Sequence, residues 1–304
     1  MKVLLTGGTG FIGSRLCALL AGGGHELRVL TRRTGGGGLP SAAELRPTPA
    51  IGDASGWIEA VSGCDAIVNL AGESIAGGRW TDARKFAIHA SRIETTRALV
   101  DACRELRGGP GVLVSGSAVG YYGACGDAEL NETSPPGHDF LSRICVDWET
   151  EALKAERLGM RVVRARFGVV LGPGGGALAR MVTPFKLFAG GPIGDGEQWL
   201  SWVHLDDAVG LLAHGLVLGT LRGPVNVTAP DPRKMRDFCR VLGEVLGRPS
   251  WLPVPAFALR ALLGEMADML LTGQRVLPAA AQASGYPFKY PTLPGALRAA
   301  LSST

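Results

Sequence analysis

Lys2-Val3-Leu4-Leu5-Thr6-Gly7-Gly8-Thr9-Gly10-Phe11-Ile12-Gly13 is the stretch whose reading decides the fold of this 304-residue chain. Val3 to Leu5 form a short apolar run. Three glycines then recur at every third position, and Arg15, Leu16, Leu19 and Leu20 continue with helical spacing. A glycine run alone is a weak signal, but a strand before it and a helix after it make a phosphate-binding turn. Gly7 permits the tight turn, Gly10 lets backbone approach a pyrophosphate, and Gly13 lets the helix pack closely on the strand. Phe11 and Ile12 then fall in the first helical turn, where unpaired N–H groups and the helix dipole meet the phosphates.

Outward from this turn, short β-branched runs alternate with helical patterns, the rhythm of an α/β, Rossmann-type doubly wound parallel sheet. Strands are predicted over 2–5, 27–31, 66–70, 111–115, 161–166 and 225–227, and helices over 81–106, 142–158 and 206–218. On helix 81–106, Phe86, Ile88, Ile93, Leu99, Val100 and Cys103 are expected to line the buried face. Past residue 229 Pro230, Pro232, Pro249, Pro253 and Pro255 punctuate short helices at 233–246, 256–263 and 293–301. We therefore divide the chain into a nucleotide-binding domain, 1–228, and a smaller, mainly helical C-terminal lobe, 229–304, with 172–202 contributing to the lobe. The glycine stretches 35–38 and 172–176 are either loops over a ligand cleft or plain surface turns.

Composition narrows the function. The 31 Lys and Arg nearly balance 27 Asp and Glu and are dispersed, so no basic stripe offers itself to nucleic acid. The six cysteines stand apart, without C-x-x-C spacing, and read as reduced thiols; no histidine spacing supports a metal. The longest apolar stretch, 209–221, falls short of a membrane span. A cytoplasmic protein without a membrane partner is the expectation.

At the end of the second strand an NAD-specific fold places an acid for the ribose hydroxyls. Here the strand ends Leu30-Thr31-Arg32-Arg33. The Arg32 guanidinium can pair with a 2′-phosphate while Thr31 supplies a hydroxyl, so NADP(H) is favoured over NAD(H).

The turn, Asn69-Leu70-Ala71-Gly72, and Ser115-Gly116-Ser117 followed by Tyr121-Tyr122-Gly123 resemble the extended short-chain dehydrogenases/reductases, the group of nucleotide-sugar epimerases. Gly78-Arg79-Trp80-Thr81, Ser91-Arg92-Ile93-Glu94-Thr95-Thr96, Asp147-Trp148-Glu149, the run from Arg166 to Gly172, and Gly190-Gly191-Pro192-Ile193-Gly194 are similar to its atypical "epimerase family protein" subgroup. Gly273 to Pro278 fits that subgroup's C-terminal region, and the likeness spans essentially the whole chain. It implies an NADP-binding Rossmann domain with Thr31 and Arg32 at the adenosine end and Leu70, Ala71 and Gly72 beneath the dinucleotide. It further implies Arg92 on the helix bordering the cofactor and Val170 near the nicotinamide. Asp53 sits where related proteins contact adenine, or is simply a turn residue.

The family transfers hydride with a Tyr-x-x-x-Lys pair. Anchored on Glu149, this chain has Leu141 and Cys145 there instead, and neither can do that acid/base work. Ser117 occupies the position of the substrate-orienting hydroxyl, and Tyr121 or Tyr122 is the candidate acid, against a packing role for both rings. In Trp202-Val203-His204-Leu205-Asp206-Asp207, Asp206 is expected to cap the following helix, and His204 is a candidate ligand residue. Arg164 or Arg166 is a candidate for an anionic substrate, and Trp199 and Trp202 for stacking or for closing the lobe interface. Two readings result: an NADP-dependent oxidoreductase or epimerase on a small polar substrate, or an NADPH-binding protein acting through a partner, as monomer or homodimer. The second reading accords with the connection of some subgroup members to cell division.

Overall fold

The computed structural model describes residues 1–32 and 38–302. Of the glycine stretch 35–38 only Gly38 is among them. Seven strands form one sheet: β1 (Lys2–Thr6), β2 (Glu26–Thr31), β3 (Glu44–Pro47), β4 (Ala66–Asn69), β5 (Val112–Ala118), β6 (Arg161–Phe167) and β7 (Gly223–Val227). Their order is β7-β6-β5-β4-β1-β2-β3, and every neighbour pair is parallel. The order reverses between β1 and β4, which opens a crevice at the carboxyl ends of those strands, where folds of this kind bind ligands.

The helices that flank the sheet include α1 (Phe11–Gly22), α2 (Ala54–Val61), α3 (Asp82–Glu105), α4 (Phe140–Leu153) and α6 (Leu205–Val217), while α5 (Gly176–Lys186), α7 (Met235–Leu246) and α8 (Ala256–Leu263) lie away from it. Alternate strand residues enter opposite cores. Val3, Leu5, Val29, Val68, Val114 and Val163 face α1 and α6, whereas Leu4, Leu30, Ile67, Leu113 and Val162 face α2 and α3. This two-sided burial, worth about 1.5–3 kcal/mol for each large aliphatic side chain, is why the strands read as continuous apolar runs rather than as alternation.

The predicted strands are all present. β3 escaped prediction because Glu44-Leu45-Arg46-Pro47 is polar, ends in proline and pairs only with β2, an edge strand by composition. α2 and α5 were also unforeseen; α5 carries an internal proline, and its Leu178, Val182 and Phe185 declare themselves only by packing against Trp202, Phe238 and Leu242. Phe86 corrects the expected face of α3: it is 70% exposed while Ile88 is buried. At 3.6 residues per turn, positions two apart point roughly 200° from one another and cannot share a face. The predicted helix 142–158 is α4 plus a 3-10 turn, Lys154–Leu158.

A third core joins Leu171, Leu178 and Trp202 to Phe238, Leu242, Leu293 and Leu297. Just before Leu293 the chain passes back along the sheet, with Ala281 inside the first core and Tyr286 and Phe288 packed against it. No helix among the described residues is long and apolar enough to cross a membrane.

Candidate cofactor and active site

The turn after β1 is built as a cradle. Gly7 holds a positive φ of 68°, and a Cβ there would stand 2.6 Å from the carbonyl oxygen of Leu70. A Cβ on Gly13 would lie 2.2 Å from the Gly7 oxygen. Only glycine fits either position. Gly10 precedes α1 without offering a side-chain cap, so the first amides of the helix, at Phe11, Ile12 and Gly13, face the turn. The Phe11 ring lies under the loop 172–176: Cβ atoms on Gly175 and Gly176 would meet it at 2.7 and 2.9 Å. A Cβ on Gly176 would also come 3.3 Å from the Val170 oxygen. That loop therefore covers the helix start.

Leu70 and Ala71 run directly against Gly7, and the Ala71 amide donates to Thr6 Oγ1 at 3.2 Å. Thr6 Oγ1 donates to Asn69 Oδ1, Asn69 Nδ2 to Thr96 Oγ1 at 2.8 Å, and Trp148 Nε1 to the same hydroxyl at 2.9 Å. This buried relay ties β1, β4, α3 and α4 together at the switch point. Arg92 rests against Gly72, whose Cβ would be 3.0 Å from its Cζ, and donates to the Ile88 carbonyl at 2.9 Å. No carboxylate pairs with it among the described residues, and burial pushes its pKa down. Thr31 is buried at the end of β2 and Arg32 exposed just beyond it. Arg33 lies outside the described residues. Asp53 is engaged locally: its carboxylate accepts from the Gly56 amide and the Ser55 hydroxyl at 2.9 Å each, capping α2, and the amide bond above all lowers its pKa.

At the end of β5 the chemistry differs from what the hydroxyl position implies. Ser117 is buried and donates to Glu149 Oε1 at 2.8 Å. Glu149, 3% exposed, also accepts from Arg166 Nε at 2.7 Å, Arg166 Nη2 at 2.9 Å and Arg164 Nη1 at 2.9 Å. Both arginines are thus spent on one internal carboxylate. Burial pulls the Arg166 pKa down, but Glu149 more than offsets it and the net shift is upward. Tyr122 is buried, receives Arg166 Nη1 at 2.9 Å and donates to Asn226 Oδ1 at 2.7 Å; burial pushes its pKa up to about 12. Tyr122, named as a candidate acid, is therefore a packed, hydrogen-bonded core residue. The Tyr121 ring lies 3.5 Å from the Arg166 guanidinium, half-buried. Cys145, at the lysine position, is buried, and burial pushes its thiol up to about 12.

Two further expectations change. The cap of α6 is His204, whose Nδ1 accepts the Asp206 amide at 3.1 Å, and burial lowers the imidazole pKa. Asp206 instead bonds Arg15 at 2.8 Å and Lys289 at 3.1 Å, while Asp207 accepts the amides of Lys289 and Tyr290 at 2.8 Å each. The sequence pointed to Asp206, but a chain segment eighty residues away claims both carboxylates. Trp202 is core and donates to the Asp231 carbonyl; Trp199 donates to Asp127 and lies between Lys234 and Arg275.

Comparison with known proteins accords with this architecture. Residues 3–220 match the NAD dependent epimerase/dehydratase family, and residues 254–300 match a domain of unknown function, DUF1731. The chain is 47% identical over 301 residues to the chloroplastic epimerase family protein SDR39U1 homolog of Arabidopsis thaliana, covering 98% of this chain and 86% of that protein. It is 39% identical over 298 residues to the epimerase family protein YfhF of Bacillus subtilis, covering 98% and 97%. The crystal structure of human epimerase family protein SDR39U1 (isoform 2) with NADPH superposes with a TM-score of 0.89 at 37% identity, over the full length of both chains. By sequence and by fold, the chain belongs to the NAD-dependent epimerase/dehydratase family, among its epimerase family proteins that carry the DUF1731 region.

Proposed function

We propose that this protein is an NADP(H)-binding atypical short-chain dehydrogenase/reductase acting on a small polar substrate between the Rossmann domain, 1–228, and a C-terminal lobe, 229–304, joined by 172–202. The observation that carries the cofactor is the cradle at Gly7, Gly10 and Gly13, which a Cβ would fill, with the amides of Phe11 and Ile12 above it. Leu70, Ala71 and Gly72 would form its floor, Val170 the nicotinamide end, and Arg92, which pairs with no carboxylate among the described residues, a contact to an anionic or hydroxyl group. Thr31 and Arg32 would hold the adenosine end, Arg32 by its charge on the 2′-phosphate. Asp53 would reach adenine only with a carboxylate already engaged in capping.

Bound NADPH would supply hydride. Proton exchange would fall to Tyr121 or to water, since the Ser117 proton is directed at Glu149 and its oxygen lone pairs are what it offers to a substrate. The same bond favours a second reading, an NADPH-occupied protein that acts through a partner without turnover. Six free thiols, five of them buried, suit a reducing compartment such as the cytoplasm. Titration of nucleotide-stripped protein with NADPH and NADH, followed by tryptophan quenching, tests the first step. Tighter NADPH binding by at least tenfold, about 1.4 kcal/mol, supports the proposal, and binding of neither sinks it.

A further inference from the structure

The C-terminus of α5 breaks a local rule. α5 ends in a Schellman turn, with the Phe188 amide donating to the Phe185 carbonyl and the Ala189 amide to the Pro184 carbonyl, both at 2.9 Å. The residue after the cap in such a turn is left-handed and usually glycine, yet here it is Phe188, at φ 59°, the one non-glycine residue with positive φ among those described. The strained backbone does not bury the ring: Phe188 is 57% exposed, next to Leu187 at 72%.

A second loop tip stands against the first. Trp251 Nε1 donates to the Phe188 carbonyl at 3.0 Å, the Leu252 amide donates to the Gly190 carbonyl at 3.1 Å, and the Arg248 guanidinium covers the Phe188 ring at 4.6 Å. Trp251 is 65% exposed, and Leu252 is exposed beside it. Lys186 and Arg248 are exposed and pair with no carboxylate among the described residues, and the acid that ends α7, Glu244, is bound to Arg240. The tip is therefore apolar and aromatic, with unneutralised cations at its edge.

We propose that this face, Leu187, Phe188, Trp251 and Leu252 with Lys186 and Arg248, seats the protein on an anionic phospholipid surface. Tryptophan, phenylalanine and leucine beside basic residues are what partitions into the headgroup boundary, and the unpaired cations complement anionic lipid. A two-fold contact with a second copy would press these cations against their own equivalents, which disfavours self-association through the face. Such peripheral seating needs no spanning helix, and it carries the α5 side of the lobe to the membrane.

The test is co-sedimentation of the full chain with phosphatidylcholine vesicles, with and without phosphatidylglycerol. Pelleting is expected only with the anionic lipid, falling as salt rises. Lys186→Gln with Arg248→Gln should weaken it about 25-fold, roughly fivefold per cation. Trp251→Ala should weaken it too. Phe188→Gly separates binding from folding: it relieves the left-handed strain, so its melting temperature should equal or exceed the parent's while vesicle binding drops. A chain that stays in the supernatant with anionic vesicles at low salt overturns the proposal, as does pelleting that none of these variants changes. If the variants instead dissolve a dimer, or release an acidic protein partner, with vesicle binding untouched, the face belongs to that occupant and the lipid assignment falls.

Discussion

Replacing Glu149 by glutamine keeps the side chain's volume and removes the charge that four donors converge on. Its two oxygens accept from Ser117, twice from Arg166 and once from Arg164, at 2.7 to 2.9 Å. Arg166 is 2% exposed, so no solvent replaces the lost carboxylate, and the new amide turns a donor toward donors. Orphaning one member of a buried ion pair costs about 3–5 kcal/mol. With an unfolding entropy of about 2.1 cal/mol/K per residue, 304 residues give about 0.64 kcal/mol/K, so the midpoint should fall by roughly 5–8 °C. Differential scanning calorimetry of the parent and Glu149→Gln reads this directly. Adding Arg166→Met, which removes the stranded cation, should recover part of the loss. A drop under about 1.5 °C would mean that the cluster behaves like a solvated surface pair and would refute the account of Ser117 and both arginines as internally committed.

Arg32→Ala should weaken NADPH by about 1.5–3 kcal/mol in titration while leaving NADH nearly unchanged, and equal losses would remove Arg32 from the 2′-phosphate. Gly13→Ala drives a Cβ to 2.2 Å from the Gly7 carbonyl oxygen, so both nucleotides should lose binding and the melting point should drop; unchanged affinity would dismiss the cradle. Gly10→Val, at a site where a Cβ meets only the Gly7 oxygen at 3.2 Å, should fold normally and yet fail to bind, because it fills the space the pyrophosphate needs. His204 has its pKa lowered from 6.5 by burial, so its share of stability is complete above the unfolded value and is lost as pH falls through the lower folded one. His204→Asn keeps an N-cap acceptor without a titrating ring, and urea melts between pH 7 and 5 should show a shallower slope for it; an identical slope would contradict the cap.

The features legible in the chain were those fixed by local covalent and steric demands. Gly7 and Gly13 announce a turn because no other residue fits beside a neighbouring backbone, and β1, β2, β4, β5 and β6 announce a doubly covered sheet because both faces are apolar. The absence of the Tyr-x-x-x-Lys pair, visible in Leu141 and Cys145, was likewise a matter of residue identity. Three-dimensional packing decided the rest. Arg164, Arg166 and Ser117 looked available to a substrate until the fold brought Glu149 of α4 across to them, and Asp206 looked like a cap until Arg15 and Lys289 took it. Those outcomes depend on pairs separated by 15 to 191 positions, whose charges compete for partners that only the folded chain brings within hydrogen-bond reach. Local sequence sets what a residue is able to do; the low dielectric of the assembled core settles which of its partners it serves.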